Sequence, residues 1–279
     1  MTNAAPTTPI RIWLITGATS GIGRELTRQA LDAGEAVVAL ARDTRSLDDF
    51  GDNPHLLRIE ADVRDAQSVH AAVGEAVARF GRVDVVANNA GYGLFGAVEE
   101  STDVQARAVF DTNVFGVLNV LRAVLPVLRA QRSGHIFQGS SLYGQSAHPG
   151  VGLLAATKYA VEGLSDALAG ELAPLGIKVT LVQPGPTATS FLDNLDFATA
   201  HTDYDQTVRQ VLKSISALPP QAFSDPAWIA AGIRRALESA TPPLRLALGQ
   251  TGADDMRNAL NARLADLDAS SNITATVDA

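Results

Sequence analysis

Seven short runs of apolar and β-branched residues recur along the chain, at 10–16, 36–41, 56–61, 83–87, 135–138, 177–182 and 244–248. They are nearly unbroken by polar positions, the pattern of strands buried on both faces. Between them lie longer segments with apolar residues at helical spacing, predicting helices over 21–33, 65–80, 103–131, 153–175 and 225–238. Gly34, Gly81 and Gly176 follow three of these, where a left-handed residue commonly ends a helix. Strands alternating with helices predict an α/β chain: a Rossmann-like, doubly wound parallel sheet of about seven strands with helices on both faces. No repeat or low-complexity linker interrupts the pattern, so one domain is expected over 10–268, between a flexible 1–9 and a flexible polar tail, 269–279. Periodicity weakens over about 186–220, which holds Phe191, Leu192, Leu195 and Phe197. That segment is either a lid over a pocket or an ordinary surface excursion.

Composition narrows the partners. With 46% hydrophobic residues the 279-residue chain has ample material for a core. A net charge of −8 is the wrong sign for a nucleic-acid footprint. The longest apolar stretch, 114–128, is interrupted by Asn119, Arg122 and Pro126, so no membrane span is expected. The absence of cysteine removes disulfides and thiolate chemistry, and fits a cytoplasmic enzyme. Five scattered histidines leave no expected metal site.

Candidate chemistry begins where the first strand ends. Thr16-Gly17-Ala18-Thr19-Ser20-Gly21-Ile22-Gly23 is a glycine-rich turn between a strand and a helix. Such a turn lets the main chain approach a pyrophosphate, with the helix N-terminus favouring its charge. The second strand ends in Ala41-Arg42-Asp43, the place where an acidic residue would bond an adenosine ribose. Arg42 either offers a fork to a 2′-phosphate, which favours NADP(H), or is a surface charge paired with Asp43.

Further along come Asp62-Val63, Asn88-Asn89-Ala90-Gly91, Asn113, Ser140-Ser141, Lys158 and Pro184-Gly185. In this order and spacing, from about Arg11 to Phe191, the chain resembles the short-chain dehydrogenase/reductase family. The resemblance implies that Gly17, Thr19, Ser20, Gly21, Ile22 and Gly23 cradle the nucleotide, and that Ala41 is the position deciding whether an acidic residue meets the adenosine ribose. It places Asp62 and Val63 at the adenine, Asn89, Ala90 and Gly91 along the adenosine ribose, and Pro184, Gly185 and Thr189 at the nicotinamide carboxamide. Ser141 would polarise a substrate oxygen, Lys158 would hold the nicotinamide ribose, and Asn113 would order a water beside the lysine. A homodimer or homotetramer through the helices after the fourth and fifth strands is also implied.

One member is missing. Four residues before Lys158 and thirteen after Ser141, where the family has its proton-transferring tyrosine, stands Leu154. A leucine has no proton to give. Of the four tyrosines, Tyr159 points about 100° round the helix from Lys158, and Tyr204 falls in the lid-like segment. Tyr92 and Tyr143 are either pocket walls or substitute donors, Tyr143 being the better placed, and His148 is a weaker candidate. Leu94, Phe95, Leu142, Tyr143, Val151 and Phe191 are expected to wall an apolar pocket for a small molecule. Three functions stay open: an NADP(H)-dependent oxidoreductase of a carbonyl or alcohol with an atypical proton donor, a non-redox cyclase, isomerase or lyase using nucleotide as scaffold, and a nucleotide-binding protein without catalysis.

Overall fold

The computed structural model describes residues 11–277; the segment 1–9 lies outside the described residues. Seven strands form one parallel sheet: β1 (Ile12–Thr16), β2 (Ala36–Ala41), β3 (Leu56–Glu60), β4 (Val85–Asn88), β6 (Gly134–Gly139), β7 (Ile177–Pro184) and β9 (Arg245–Leu248), in the order β3-β2-β1-β4-β6-β7-β9. Residues alternate between faces, so Leu14, Val38, Val86 and Ile136 meet one helical layer while Trp13, Ile15, Val37 and Phe137 meet the other. The first layer is α2 (Ala66–Phe80), α4 (Gly116–Gln131) and α5 (Gly152–Leu172); the second is α1 (Gly21–Asp32) and α7 (Pro226–Leu237). The doubly wound architecture read from the sequence is the one observed.

Gly34, Gly81 and Gly176 all have positive φ, at 75°, 81° and 72°. The expected helix over 103–131 is continuous but not uniform. It comprises α3 (Asp103–Phe110), a π turn over Asp111–Phe115, and α4. Its apolar length would suit a membrane span by composition, yet Val117, Val120, Leu121, Val124 and Leu128 are buried on the sheet.

Between Gly185 and α7, and again beyond β9, the chain departs from the expected outline. The lid-like segment is tied down by a two-stranded pairing of β5 (Leu94–Phe95) with β8 (Asp196–Phe197), and continues into α6 (Gln210–Ser216). Arg209, just before α6, bonds the buried side chain of Glu100. After β9 comes a 20-residue helix, α8 (Gln250–Ala269), that periodicity did not reveal. Its buried residues are only Gly252 and Met256, so no broad apolar stripe marks it. The polar tail expected from about 269 is itself helical, α9 (Ser271–Val277), with exposed Ile273 and Val277.

Candidate active site

β1 and β4 lie side by side where the strand order changes direction, which opens a crevice beyond their C-terminal ends. Thr16, fully buried at the end of β1, accepts bonds at its hydroxyl from the N–H groups of Asn89 (2.9 Å) and Ala90 (3.0 Å). Asn89 Nδ2 donates back to the carbonyls of Thr16 (3.2 Å) and Gly17 (3.4 Å). A Cβ at Gly23 would lie 2.3 Å from the Gly17 oxygen, so only glycine lets α1 descend onto the loop. Ser20, at the N-cap of α1, makes no side-chain bond to the first turn. Those N–H groups remain free for an anion. Thr189 closes the far side: a Cβ on Gly21 would sit 2.9 Å from its Cγ2. The glycine turn, residues 89–91, Pro184, Gly185 and Thr189 therefore border one crevice that fits a dinucleotide.

At its outer end Arg42 is exposed and has no salt-bridge partner among the described residues. Asp43 pairs with Arg45 instead, whose guanidinium holds the carboxyl down to about 2. Asp62 accepts from Arg64 Nε (3.0 Å) and Nη2 (2.6 Å), which keeps its carboxyl below the ordinary range. The Val63 carbonyl accepts from Asn119 Nδ2 at 2.9 Å.

The inner end is assembled by α5 and the π turn. Such turns are frequent at functional sites because they reorient one side chain out of register. Buried Asn113, within the turn, donates to the Tyr92 carbonyl (2.9 Å) and Thr157 Oγ1 (3.1 Å) and accepts from the Tyr92 N–H (3.1 Å). Both amide hydrogens are used, so its side chain clamps residue 92 to α5 and has no donor left for a water. Lys158 Nζ donates to the Gly139 carbonyl at 2.8 Å. Burial brings its pKa down to about 8, opposed by the negative charge of Glu162 one turn further along α5.

The two serines after β6 divide their work. Ser140 donates to buried Glu162, which also accepts from Gln145 Nε2, Gln183 Nε2 and Arg245 Nε, each at 2.9 Å. Gly144 permits this approach, since a Cβ there would stand 2.7 Å from Glu162 Oε1. Ser141 lines the crevice, and its hydroxyl has no hydrogen-bond partner among the described residues. Leu154 is 2% exposed and packs with Phe95 and Val151, against Tyr143, Leu195, Leu212 and Ile215. Tyr143 meets the ring of His148 edge-on at 5.7 Å, and burial pushes its hydroxyl up to about 12. Tyr159 and Tyr204 turn away, to Arg263 and Glu99. Burial also raises Tyr92.

A cavity of about 530 Å³ runs from Ile22, Asn89 and Gly91, at the inner edge of the glycine cradle, past Ser141, Leu154 and Lys158 to Phe191, Ile215 and Phe223. Phe95, Leu142, Tyr143 and Phe191 wall it as expected. Leu94 and Val151 do not; both are buried behind the wall, because the β5 pairing and the start of α5 turn them inward. Sequence reasoning missed Glu162, Arg245, Thr251 and Asp255. Glu162 carries a legible signal, an acidic residue four after Lys158 and so one turn along the same helix face. Asp255 carries none without α8.

A sheet of this order with a glycine cradle, a free serine and a lysine facing one cavity defines a nucleotide-dependent oxidoreductase fold. Residues 11–199 match the short chain dehydrogenase family, and the chain belongs to it. It is 38% identical over 244 residues to oxidoreductase BOA17 of Botryotinia fuckeliana, covering 86% of this chain and 89% of that one. A crystal structure of a short-chain dehydrogenase from Streptomyces avermitilis superposes with a TM-score of 0.88 at 37% identity, covering 96% and 98% of the two chains. One from Burkholderia cenocepacia in complex with NADP superposes at 0.73 with 27% identity, covering 91% and 97%.

Proposed function

We propose that this protein is an NADP(H)-dependent oxidoreductase that interconverts a carbonyl and an alcohol on a mainly apolar small molecule, with Leu154 standing where the family has its tyrosine. The observation that carries this reading is the convergence of Ser141, with its unpaired hydroxyl, and Lys158 on the cavity that continues into the glycine cradle. The nicotinamide nucleotide, when bound, supplies or accepts a hydride. Gly17, Thr19, Ser20, Gly21, Ile22 and Gly23 would hold its pyrophosphate through main-chain N–H groups. Asp62, Val63, Asn89, Ala90 and Gly91 would hold the adenosine, and Pro184, Gly185 and Thr189 the carboxamide. Lys158 would exchange its bond to Gly139 for the ribose hydroxyls. Ser141 donates to the substrate oxygen, and Phe191, Ile215 and Phe223 exclude water around its apolar part. The choice of NADP(H) rests on Arg42, exposed and unclaimed by Asp43, beside the uncharged Ala41. Exposed Val104, Phe115 and Tyr159 on the helices around the site support a homo-oligomer.

Fluorescence titration of the parent and Arg42→Ala with NADPH and NADH tests the cofactor, and a ketone panel tests the reaction. We expect tighter NADPH binding in the parent and a loss of about tenfold in the variant, the scale of one charge-assisted bond. Equal affinities would remove the phosphate assignment. The apolar shell around Leu154 favours a second reading, non-redox chemistry with nucleotide as scaffold. Tight nucleotide binding without turnover of any carbonyl or alcohol would select it.

A further inference from the structure

We propose that His148 and Asp255 form a proton-donating dyad for carbonyl reduction in this cavity, taking the part for which Leu154 has no group; the inference rests on the reductase reading above. His148 Nε2 lies 3.3 Å from Asp255 Oδ1, and Asp255 Oδ2 accepts from Ser146 Oγ at 2.7 Å. Both side chains line the same cavity as Ser141, Leu154 and Lys158. Tyr143 holds the imidazole from a second side, and Nδ1 has no protein partner among the described residues. Asp255 is brought in by α8, whose first turn is docked hard onto the site. A Cβ on Gly185 would stand 3.0 Å from the Gly252 nitrogen.

A surface ion pair is the plain alternative, and the molecule supplies one for comparison. His201 and Asp203 are neighbours in the chain, with side chains 64% and 82% exposed. His148 and Asp255 are 38% and 33% exposed, come from segments more than a hundred residues apart, and meet over a cavity. An imidazole with one nitrogen held by a carboxylate and the other free is the arrangement of a general acid–base. Tyr143, also on the wall, keeps its proton up to about 12, so it orients the ring. The other charged group facing the cavity is Lys158, across from the dyad on α5.

The proton and electron pairs move together in the reductive direction. With the hydride coming from a reduced nicotinamide nucleotide, a C–H bond forms at the carbonyl carbon and the π pair moves to oxygen. The His148 N–H bond breaks, an O–H bond forms, and the neutral imidazole recovers its proton from solvent at its exposed edge. Ser141 donates a hydrogen bond throughout, and Asp255 stabilises the imidazolium.

The test compares the parent, His148→Asn, Asp255→Asn and Tyr143→Phe on a ketone that the parent reduces, with nucleotide affinity as the folding control. We expect His148→Asn to lower kcat about 10²-fold with nucleotide affinity intact, and Tyr143→Phe to cost far less. In a Leu154→Tyr background the same His148→Asn change should cost less than about threefold, because the phenol makes the imidazole redundant. A second readout needs no turnover: the His148 imidazole NMR signal, assigned by its loss in His148→Asn, should shift when ketone is added to the protein saturated with oxidised nucleotide. An unchanged kcat in His148→Asn, an equal loss in both backgrounds, or an imidazole signal indifferent to ketone would each overturn the dyad while leaving the reductase reading in place. A parent that binds nucleotide and reduces no ketone would overturn both.

Discussion

The nucleotide end of the crevice and its substrate end are built from different materials. At the nucleotide end, residues 16–23 and 89–91 present main chain, fixed by bonds such as those between Thr16, Asn89 and Ala90. At the substrate end, side chains from 141–154, 191–223 and 251–255 converge from segments distant in sequence. Main chain recognises what every dinucleotide shares, whereas converging side chains can be exchanged one at a time. Residue 154 can therefore vary without disturbing Lys158, one turn away, or the glycine turn. Glu162 stands at the joint, binding the segment that carries Ser141 to β7 through Gln183 and to β9 through Arg245.

Removing that joint should have the largest effect. In Glu162→Ala, Gln145, Gln183 and Ser140 lose their buried acceptor, and the Arg245 guanidinium keeps only its bond to Asp166. Breaking a buried pair from one side typically costs ~3–5 kcal/mol. Arg245 is 37% exposed and keeps one partner, so the lower figure, about 3 kcal/mol, is expected from equilibrium urea unfolding. A loss below about 1 kcal/mol, the scale of a single neutral hydrogen bond, would show that the two ends are held together by apolar packing alone.

The same contrast explains what was legible beforehand. The glycine turn, strand ends and Lys158 are local patterns, and the sheet that unites them follows from alternation alone. Spacing to Leu154 picks out Ser141, but the tie of Ser140 to Glu162 is not legible, because the partners of Glu162 lie on three other segments. Asp255 could not be connected to His148 because α8 buries too little to show as an amphipathic helix; only the spacing of Met256, Leu260, Leu264 and Leu267 hints at it. In the sequence Arg42 stands between a phosphate and Asp43, and nothing local tells that Arg45, two residues beyond Asp43, takes that carboxylate.

Restoring the missing group sharpens the comparison next. On a His148→Asn background, where neither the dyad nor a phenol is in place, Leu154→Tyr should raise NADPH-dependent ketone reduction by ~10² or more, the scale of one placed acid. The new side chain must fit among Phe95, Val151, Leu195 and Ile215, so some of the gain is offset by overpacking. Its hydroxyl has the cavity to extend into. Steady-state kinetics of His148→Asn with and without Leu154→Tyr over one ketone series decides this. No gain with nucleotide still bound would mean that the inner end is shaped for other chemistry.

The smallest effect concerns Lys158, the one side chain shared by both ends. Its ammonium should add about 1.5 kcal/mol, or tenfold, to nucleotide binding through the ribose hydroxyls, an amount lost in Lys158→Met. Because burial sets its pKa at about 8, the charge is present below that pH and lost above it, so affinity should fall as pH rises through 8. The free protein should respond in the opposite sense. The unfolded chain, with the ordinary value of 10.5, holds the proton more tightly between about 8 and 10.5, so this residue's contribution to stability grows as pH rises through that window. Subtracting the Lys158→Met curves from the parent's isolates both slopes from other titrating groups. Affinity and stability differences that ran in the same direction would mean that the ammonium is already satisfied by Gly139 and Glu162, and that Lys158 belongs to the joint rather than to the nucleotide.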